Sequence, residues 1–171
     1  MLHINSIQIK TVDMKRHGSY YITCSKNTLL VKCIGSWNLE TTRLYSLEFK
    51  GTVAPLINDH WAAIFDMRNW ELATPESMPV FQNLMQWCIE RGMTSCIYVY
   101  EQSFIKKHNI EQMTHYLERR PHNFSDTQMT DLELAYDWLR SHEHEVNIND
   151  LLTLDEQTNR HNVATLSHMA N

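Results

Sequence analysis

The chain has 171 residues, 43% hydrophobic and 20% charged, which suits one globular domain that buries a core without metal or disulfide staples. Its formal net charge is −5 with lysines and arginines scattered rather than striped, so the electrostatic footprint of a nucleic-acid binder is missing. No apolar run approaches the ~20 residues that cross a bilayer, and Met1 to Lys10 is too short and polar for a secretory signal, so a cytoplasmic protein with no membrane span is expected.

Ile4, Ser6, Gln8 and Lys10 alternate with their neighbours, which suggests an edge strand or arm over residues 1–17. Tyr20 to Cys24 and Leu29 to Ile34 are rich in strand formers, and Ser25-Lys26-Asn27-Thr28 sits between them as a turn. A Lys26-Asn27 turn sets Cys24 opposite Leu29, Ile22 opposite Val31 and Tyr20 opposite Cys33 on one face. Tyr21, Thr23, Ser25, Thr28, Leu30 and Lys32 occupy the other, more polar face of a half-buried hairpin.

Gly35-Ser36-Trp37-Asn38 breaks the strand, and Asn38 caps a helix whose stripe runs through Leu44, Leu47, Gly51 and Ala54. Gly51 on that stripe predicts a close approach to the sheet, and Pro55 marks the last turn. Trp61 to Met67 is a nearly continuous apolar run, the pattern of a central strand covered on both faces. A loop follows from Arg68 to Ala73. Thr74-Pro75 then reads as an N-cap with proline at the first helical position, opening a helix that buries Phe81, Leu84, Met85, Cys88 and Ile89 and ends at Gly92.

Thr94 to Tyr100 is a second continuous apolar strand. Ser103 to Arg119 reads as a third helix, packing through Phe104, Ile105, His108 and Tyr116, and Pro121 to Phe124 as a short last strand. Thr130-Asp131-Leu132-Glu133 forms a capping box for a final helix bearing Ala135, Trp138 and Leu139. Beyond Ser141 the chain is rich in Asn, Thr, His and acid, with Val146, Ile148, Leu151, Leu152 and Leu154 as anchors, so residues 142–171 are expected to form a partly ordered tail.

The expected architecture is therefore α/β: a mixed, mostly parallel sheet of four or five strands with helices, in the order β-β-α-β-α-β-α-(β)-α, over residues 18–141. Cys24, Cys33, Cys88 and Cys96 all lie in apolar stretches with no close pair and read as buried free thiols. The ten histidines are dispersed, and His142 with His144 stand at a spacing that chelates poorly on a helix or a strand, so no metal and no cofactor are expected. There is no G-x-S-x-G elbow, no H-E-x-x-H helix and no phosphate-cradling glycine loop.

The element order resembles the SpoIIAA-like family, small STAS-like domains with fold kinship to anti-sigma-factor antagonists and to CRAL-TRIO domains. The resemblance rests on the hairpin Tyr20 to Gly35, on Ile64-Phe65-Asp66-Met67-Arg68-Asn69-Trp70, on Thr74-Pro75-Glu76, and on Phe124-Ser125-Asp126 with Ala135-Tyr136-Asp137-Trp138-Leu139. It spans roughly residues 18 to 141, with Gln128 to Asp131 inserted in the closing pattern. It implies a SpoIIAA-like sheet and recognition rather than catalysis. The phosphoswitch does not carry over, because Asp66-Met67-Arg68-Asn69 stands where true antagonists keep a serine-bearing turn. Thr74 and Ser77 are the nearby hydroxyls, and capping accounts for both.

In such a sheet, ligands gather beyond the carboxyl ends of the strands. Three loops meet there and supply Trp37, Asn38, Asp66, Arg68, Asn69, Trp70, Glu101 and Gln102 as candidate ligand- or partner-binding residues. The opposing structural reading is that Asp66 and Arg68 pair to pin the loop while Trp37 and Trp70 fill gaps beside the sheet. The leading functional expectation is a non-catalytic regulatory module that docks a protein partner or a second copy of itself as a homodimer. The alternatives are a carrier of a small apolar ligand or a nucleotide, and an enzyme using Asp66, Arg68 and Glu101.

Overall fold

The computed structural model describes residues 17–57, 59–114 and 121–156. Strands β1 (Ser19–Ser25) and β2 (Thr28–Trp37) form the expected hairpin, with Tyr20, Ile22 and Cys24 opposite Cys33, Val31 and Leu29. Lys26 takes the left-handed turn position at φ 56°. Helix α1 (Leu39–Val53) starts where Asn38 accepts the N–H of Thr41 at 3.0 Å. Strands β3 (Trp61–Asp66) and β4 (Trp70–Ala73), helix α2 (Met78–Glu90), strand β5 (Met93–Val99), helix α3 (Phe104–Thr114), strand β6 (Ser125–Met129) and helix α4 (Leu132–Ser141) follow. The chain is helical again over residues 148–156, here α5.

The sheet runs β1-β2-β3-β5-β6, antiparallel at the hairpin and parallel elsewhere. The first half of β2 pairs with β3 and its end pairs with β4. Two cores flank the sheet. Leu29, Val31, Phe65, Cys96 and Tyr98 look toward α1, α2 and α3, while Leu30, Ala62, Ile64, Ile97 and Val99 look toward α4 and α5. Each strand feeds both cores because successive side chains alternate faces, which explains the continuous apolar runs of β3 and β5. All four cysteines are free.

Several expectations are corrected. The buried stripe of α1 is Thr41, Thr42, Tyr45, Phe49 and Val53, while Leu47 is exposed and a Cβ on Gly51 would meet nothing within 4 Å. Two aromatic side chains won the core-facing phase over the leucines, because large rings bury more apolar area. Arg68 to Ala73 is not all loop: Trp70 and Ala73 are buried and their backbone extends the sheet beside β2. The last strand is Ser125–Met129 rather than Pro121 to Phe124, a polar edge strand that among the described residues pairs only with β5. Its N-terminal neighbour Pro121 cannot donate to a ladder.

Helix α3 starts at Phe104, but Phe104, Ile105 and His108 are exposed and Ile110 and Met113 face the core; Tyr116 lies outside the described residues. Asp131, not Thr130, caps α4, accepting the N–H of Leu134 at 2.9 Å. Thr74 opens a single 3-10 turn, Pro75–Ser77, without a side-chain cap bond, and α2 begins after it.

The segment after Ser141 folds back on the sheet through residue 156. Val146, Leu151 and Leu154 are buried in the second core, and Ile148 and Leu152 face outward. The β1–β2 turn receives it: Thr28 donates to the Glu145 carbonyl (2.9 Å), Asn27 accepts the Glu145 N–H (2.7 Å), and Ser25 joins Asn147 N–H and Asp150 (2.8 and 2.6 Å). His144 is buried, bonded to Ser95 at 2.9 Å and stacked on His60 with centroids 4.5 Å apart. The expected arm over residues 1–17, apart from His17, and residues 157–171 lie outside the described residues.

Burial, then the neighbouring His60 and His142, lowers the His144 pKa to about 4. The unfolded chain takes up that proton near pH ~6.5. The stabilisation from a neutral His144 is therefore complete above about pH 6.5 and lost as the pH falls toward about 4, on the order of 2–3 kcal/mol. Urea unfolding measured across this range should show that slope, and His144→Gln should flatten it; an unchanged slope in the variant rules His144 out as its source.

Candidate functional site

At the carboxyl edge of the sheet, β2 and β3 place Lys32 directly beside Asp66. Both side chains are 0% exposed, and Lys32 Nζ donates to Asp66 at 2.9 Å. Arg68, two residues on, turns back and donates from Nε and NH2 to the two Asp66 oxygens, each at 2.9 Å, while its backbone N–H adds a bond at 3.2 Å. The same guanidinium reaches Asp155 of α5 at 2.6 Å. Burial pushes the Asp66 carboxyl up, but the Arg68 hydrogen bonds and the charges of Lys32 and Arg68 outweigh it and hold the group below the usual carboxylate range. Arg68 is correspondingly held further toward its charged form.

The loop after β3 is fixed from the other side as well. Lys106 of α3 donates to the carbonyls of Met67 and Arg68 at 3.2 and 2.8 Å, and the Asn69 carbonyl accepts the Gly35 N–H at 2.8 Å. Trp37 and Trp70 are each 1% exposed. Trp37 donates its indole N–H to the Ile34 carbonyl at 3.0 Å and meets the rings of Tyr20, Tyr45 and Phe81. Gly18 gives it room: at φ +76°, a Cβ there would lie 2.5 Å from the Trp37 ring. Both indoles line an apolar cavity of about 40 Å³ under α1, α2 and α3, together with Phe49, Met67, Met85 and Met113.

Of the residues singled out from sequence, the structure joins Asp66 with Arg68, turns Trp37 and Trp70 inward, and uses Asn38 as a helix cap. Glu101 and Gln102 are exposed in the link between β5 and α3, where Gln102 lines a shallow recess with Tyr100, Ser103, Phe104, Lys107 and Gln128. Asp66 has both oxygens occupied by cations, whereas Glu101 is exposed, so they are not a paired set of carboxylates. The residues sequence reasoning missed are Lys32, Lys106 and Asp155. Lys32 carries a signal in retrospect: it interrupts a buried strand at the level of the single acid of β3. Asp155 carries none, since its partner is far along the chain.

No family model matches this sequence, and no curated protein matches it either. Its fold does match solved structures. One is an uncharacterized protein of the DUF3478 family with a SpoIIAA-like fold from Shewanella loihica PV-4, 12% identical, with a TM-score of 0.55 over 73% of this chain and 95% of that one. Another is the anti-sigma factor antagonist SpoIIAA in its unphosphorylated form, 9% identical, with a TM-score of 0.51 over 71% of this chain and 98% of that one. The chain has a SpoIIAA-like fold.

Within this SpoIIAA-like domain the two hydroxyls near the edge differ in access. Ser77 is 0% exposed, with its Oγ 3.0 Å from that of Thr42 and 3.2 Å from that of Thr74. Thr74 is half-buried. Burial also raises the thiols of Cys24, Cys33 and Cys88, away from the thiolate a nucleophile requires.

Removing one member of a buried ion pair strands the other charge. Asp66→Ala should therefore cost about 3–5 kcal/mol, whereas Lys32→Met combined with Asp66→Asn should cost clearly less. Asp155→Ala should cost under about 1 kcal/mol, because the Asp155 side chain is 45% exposed. Urea denaturation of the set checks the ranking; equal losses for the single Asp66 variant and the double variant would show that the pair is not the stabilising unit.

Proposed function

We propose that this SpoIIAA-like domain is a non-catalytic regulatory module that docks a protein partner at the carboxyl edge of its sheet. The observation that carries the reading is the start of α3. Phe104 is 86% exposed and Ile105 58% exposed, directly after the exposed Glu101 and Gln102. Solvent-facing apolar side chains beside polar groups, on a rigid base, are a common form of recognition surface. Asp66, Arg68, Asn69, Asn38, Trp37 and Trp70 form that base: their polar groups are spent on each other, on helix capping and on neighbouring strands. Glu101, Gln102, Phe104 and Ile105 form the surface offered to the partner. The name of SpoIIAA, anti-sigma factor antagonist, describes a protein that acts through another protein, which agrees with this use of the fold.

The apolar cavity favours a second reading, carriage of a small apolar molecule. At about 40 Å³ it holds a guest near the size of a water molecule. A lipid or nucleotide therefore enters only if α3 and its Met113 move aside. Native mass spectrometry of the full chain separates the two readings, because it reports adducts and assembly together.

Under the docking proposal the protein carries no stoichiometric adduct, and it captures a partner or a second copy that Phe104→Ser with Ile105→Ser no longer retains. Both side chains are exposed, so these variants should melt within about 2 °C of the parent. A retained partner in the double variant, or an apolar adduct of fixed mass, would falsify docking through this edge.

A further inference from the structure

The other face of the domain carries a surface of different chemistry. Residues 121–156 hold nine acidic side chains and a single arginine, Arg140, although the whole chain is only −5. The two helices they build, α4 and α5, flank a groove of about 500 Å³. Its apolar part includes Tyr136 together with Ile148 and Leu152, which are 45% and 55% exposed and, four residues apart, share one side of α5. Glu133 and Asp137 line it from α4, also four residues apart, and among the described residues neither makes an ion pair. Among the described residues, two nearby cations are engaged: Arg68 with Asp66 and Asp155, and Arg140 over the ring of Tyr136 at 5.7 Å.

We infer that this groove is a docking site for a basic amphipathic helix supplied by a partner protein. Three physical reasons converge. A furrow between two neighbouring helices accepts the ridge of a third, and the exposed Ile148 and Leu152 supply an apolar seam for it. Two carboxylates at i, i+4 repel one another in the free protein, and lysine or arginine side chains flanking the apolar ridge relieve that repulsion. The acidic surroundings draw in a cationic segment over a distance set by the ionic strength and reject an acidic one. The inference is independent of the Phe104 edge, which lies with α3 on the opposite face of the sheet.

The test is fluorescence anisotropy of the full chain with a dye-labelled leucine–lysine peptide of helical spacing, beside a leucine–glutamate peptide of equal length. The leucine–lysine peptide should bind and weaken as salt is raised, and the leucine–glutamate peptide should not bind. Ile148→Ser with Leu152→Ser should weaken binding about tenfold or more, and Glu133→Gln with Asp137→Asn several-fold. All four side chains are at the surface, so melting curves verify that these variants fold.

Glu40→Gln with Glu90→Gln, acids elsewhere on the surface, should leave binding unchanged, as should Phe104→Ser. Equal weakening by the Glu40 and Glu90 pair would show general charge attraction and overturn the inference. So would unaltered binding in the Ile148 and Leu152 variant, or no binding at all. Concentration-dependent dimerisation of the unliganded chain that Leu152→Ser abolishes would assign the groove to a second copy and overturn it as well.

Discussion

Lys32 and Asp66 are charged, adjacent and fully removed from water, and the rest of the molecule is arranged around that fact. An ion pair taken out of water loses several kcal/mol per ion to desolvation, recovered only where geometry and hydrogen bonding are close to complete. Asp66 meets the condition with four donated hydrogen bonds, one from Lys32 and three from Arg68. That closure requires β2 and β3 to keep their register, the loop after β3 to turn back sharply, and Asp155 to hold the outer side of Arg68. Three separated stretches of chain, β2, β3 with its following loop, and α5 by way of Arg68, are thus tied to one carboxylate. The constraint also limits chemistry: an aspartate saturated by cations and held ionised is a poor proton acceptor, whatever cleft lies near it.

The two sides of the sheet depend on the network differently. Toward α1, α2 and α3 the domain is aromatic and apolar, with its tryptophans filling space and a small cavity left among methionines that adapt their shape readily. Toward α4 and α5 the core is smaller, and polar bonds from the β1–β2 turn and the stacked His60–His144 pair hold the last described segment in place. The buried pair lies on that second face, so α5 does more than add apolar area. It covers the outer side of Arg68 through Asp155 and so shields charges that would otherwise regain water.

Much of this was legible in the residues, and the failures have physical causes. The hairpin register followed from alternation plus a turn, because a one-residue slip would exchange its faces. The central strands followed from unbroken apolar runs. Helix α1 defeated periodicity because its leucines and its aromatic residues offered two competing stripes, and packing chose the larger side chains. Strand β4 is four residues long and pairs at a bulge, below the length at which alternation carries information. Asp66 and Arg68 do form the ion pair that the residues suggested. The other half of the network, Lys32 and Asp155, depends on tertiary neighbours that no local pattern encodes. The exposure of the start of α3 is hidden from the sequence, because an apolar Phe-Ile pair looks the same whether it faces inward or outward.

The edge also constrains how a regulatory module of this kind could work. A phosphoryl group adds about −1.5 to −2 charges and three strong acceptors at the place where it is attached. In this chain the loop after β3 is already held by charges: Asp66 and Asp155 against Lys32 and Arg68, with Lys106 on the loop's carbonyls. Of the hydroxyls at the nearby helix start, Ser77 is sealed inside. A phosphoryl group on Ser77 would have to displace its hydroxyl contacts with Thr42 and Thr74. A docking module built on such a base is set by which partner is present and by the chemistry of its two exposed surfaces, one apolar at α3 and one acidic at α4 and α5. Under the two proposals, specificity comes from the difference between those surfaces, because a segment that suits one is mismatched in charge or shape at the other.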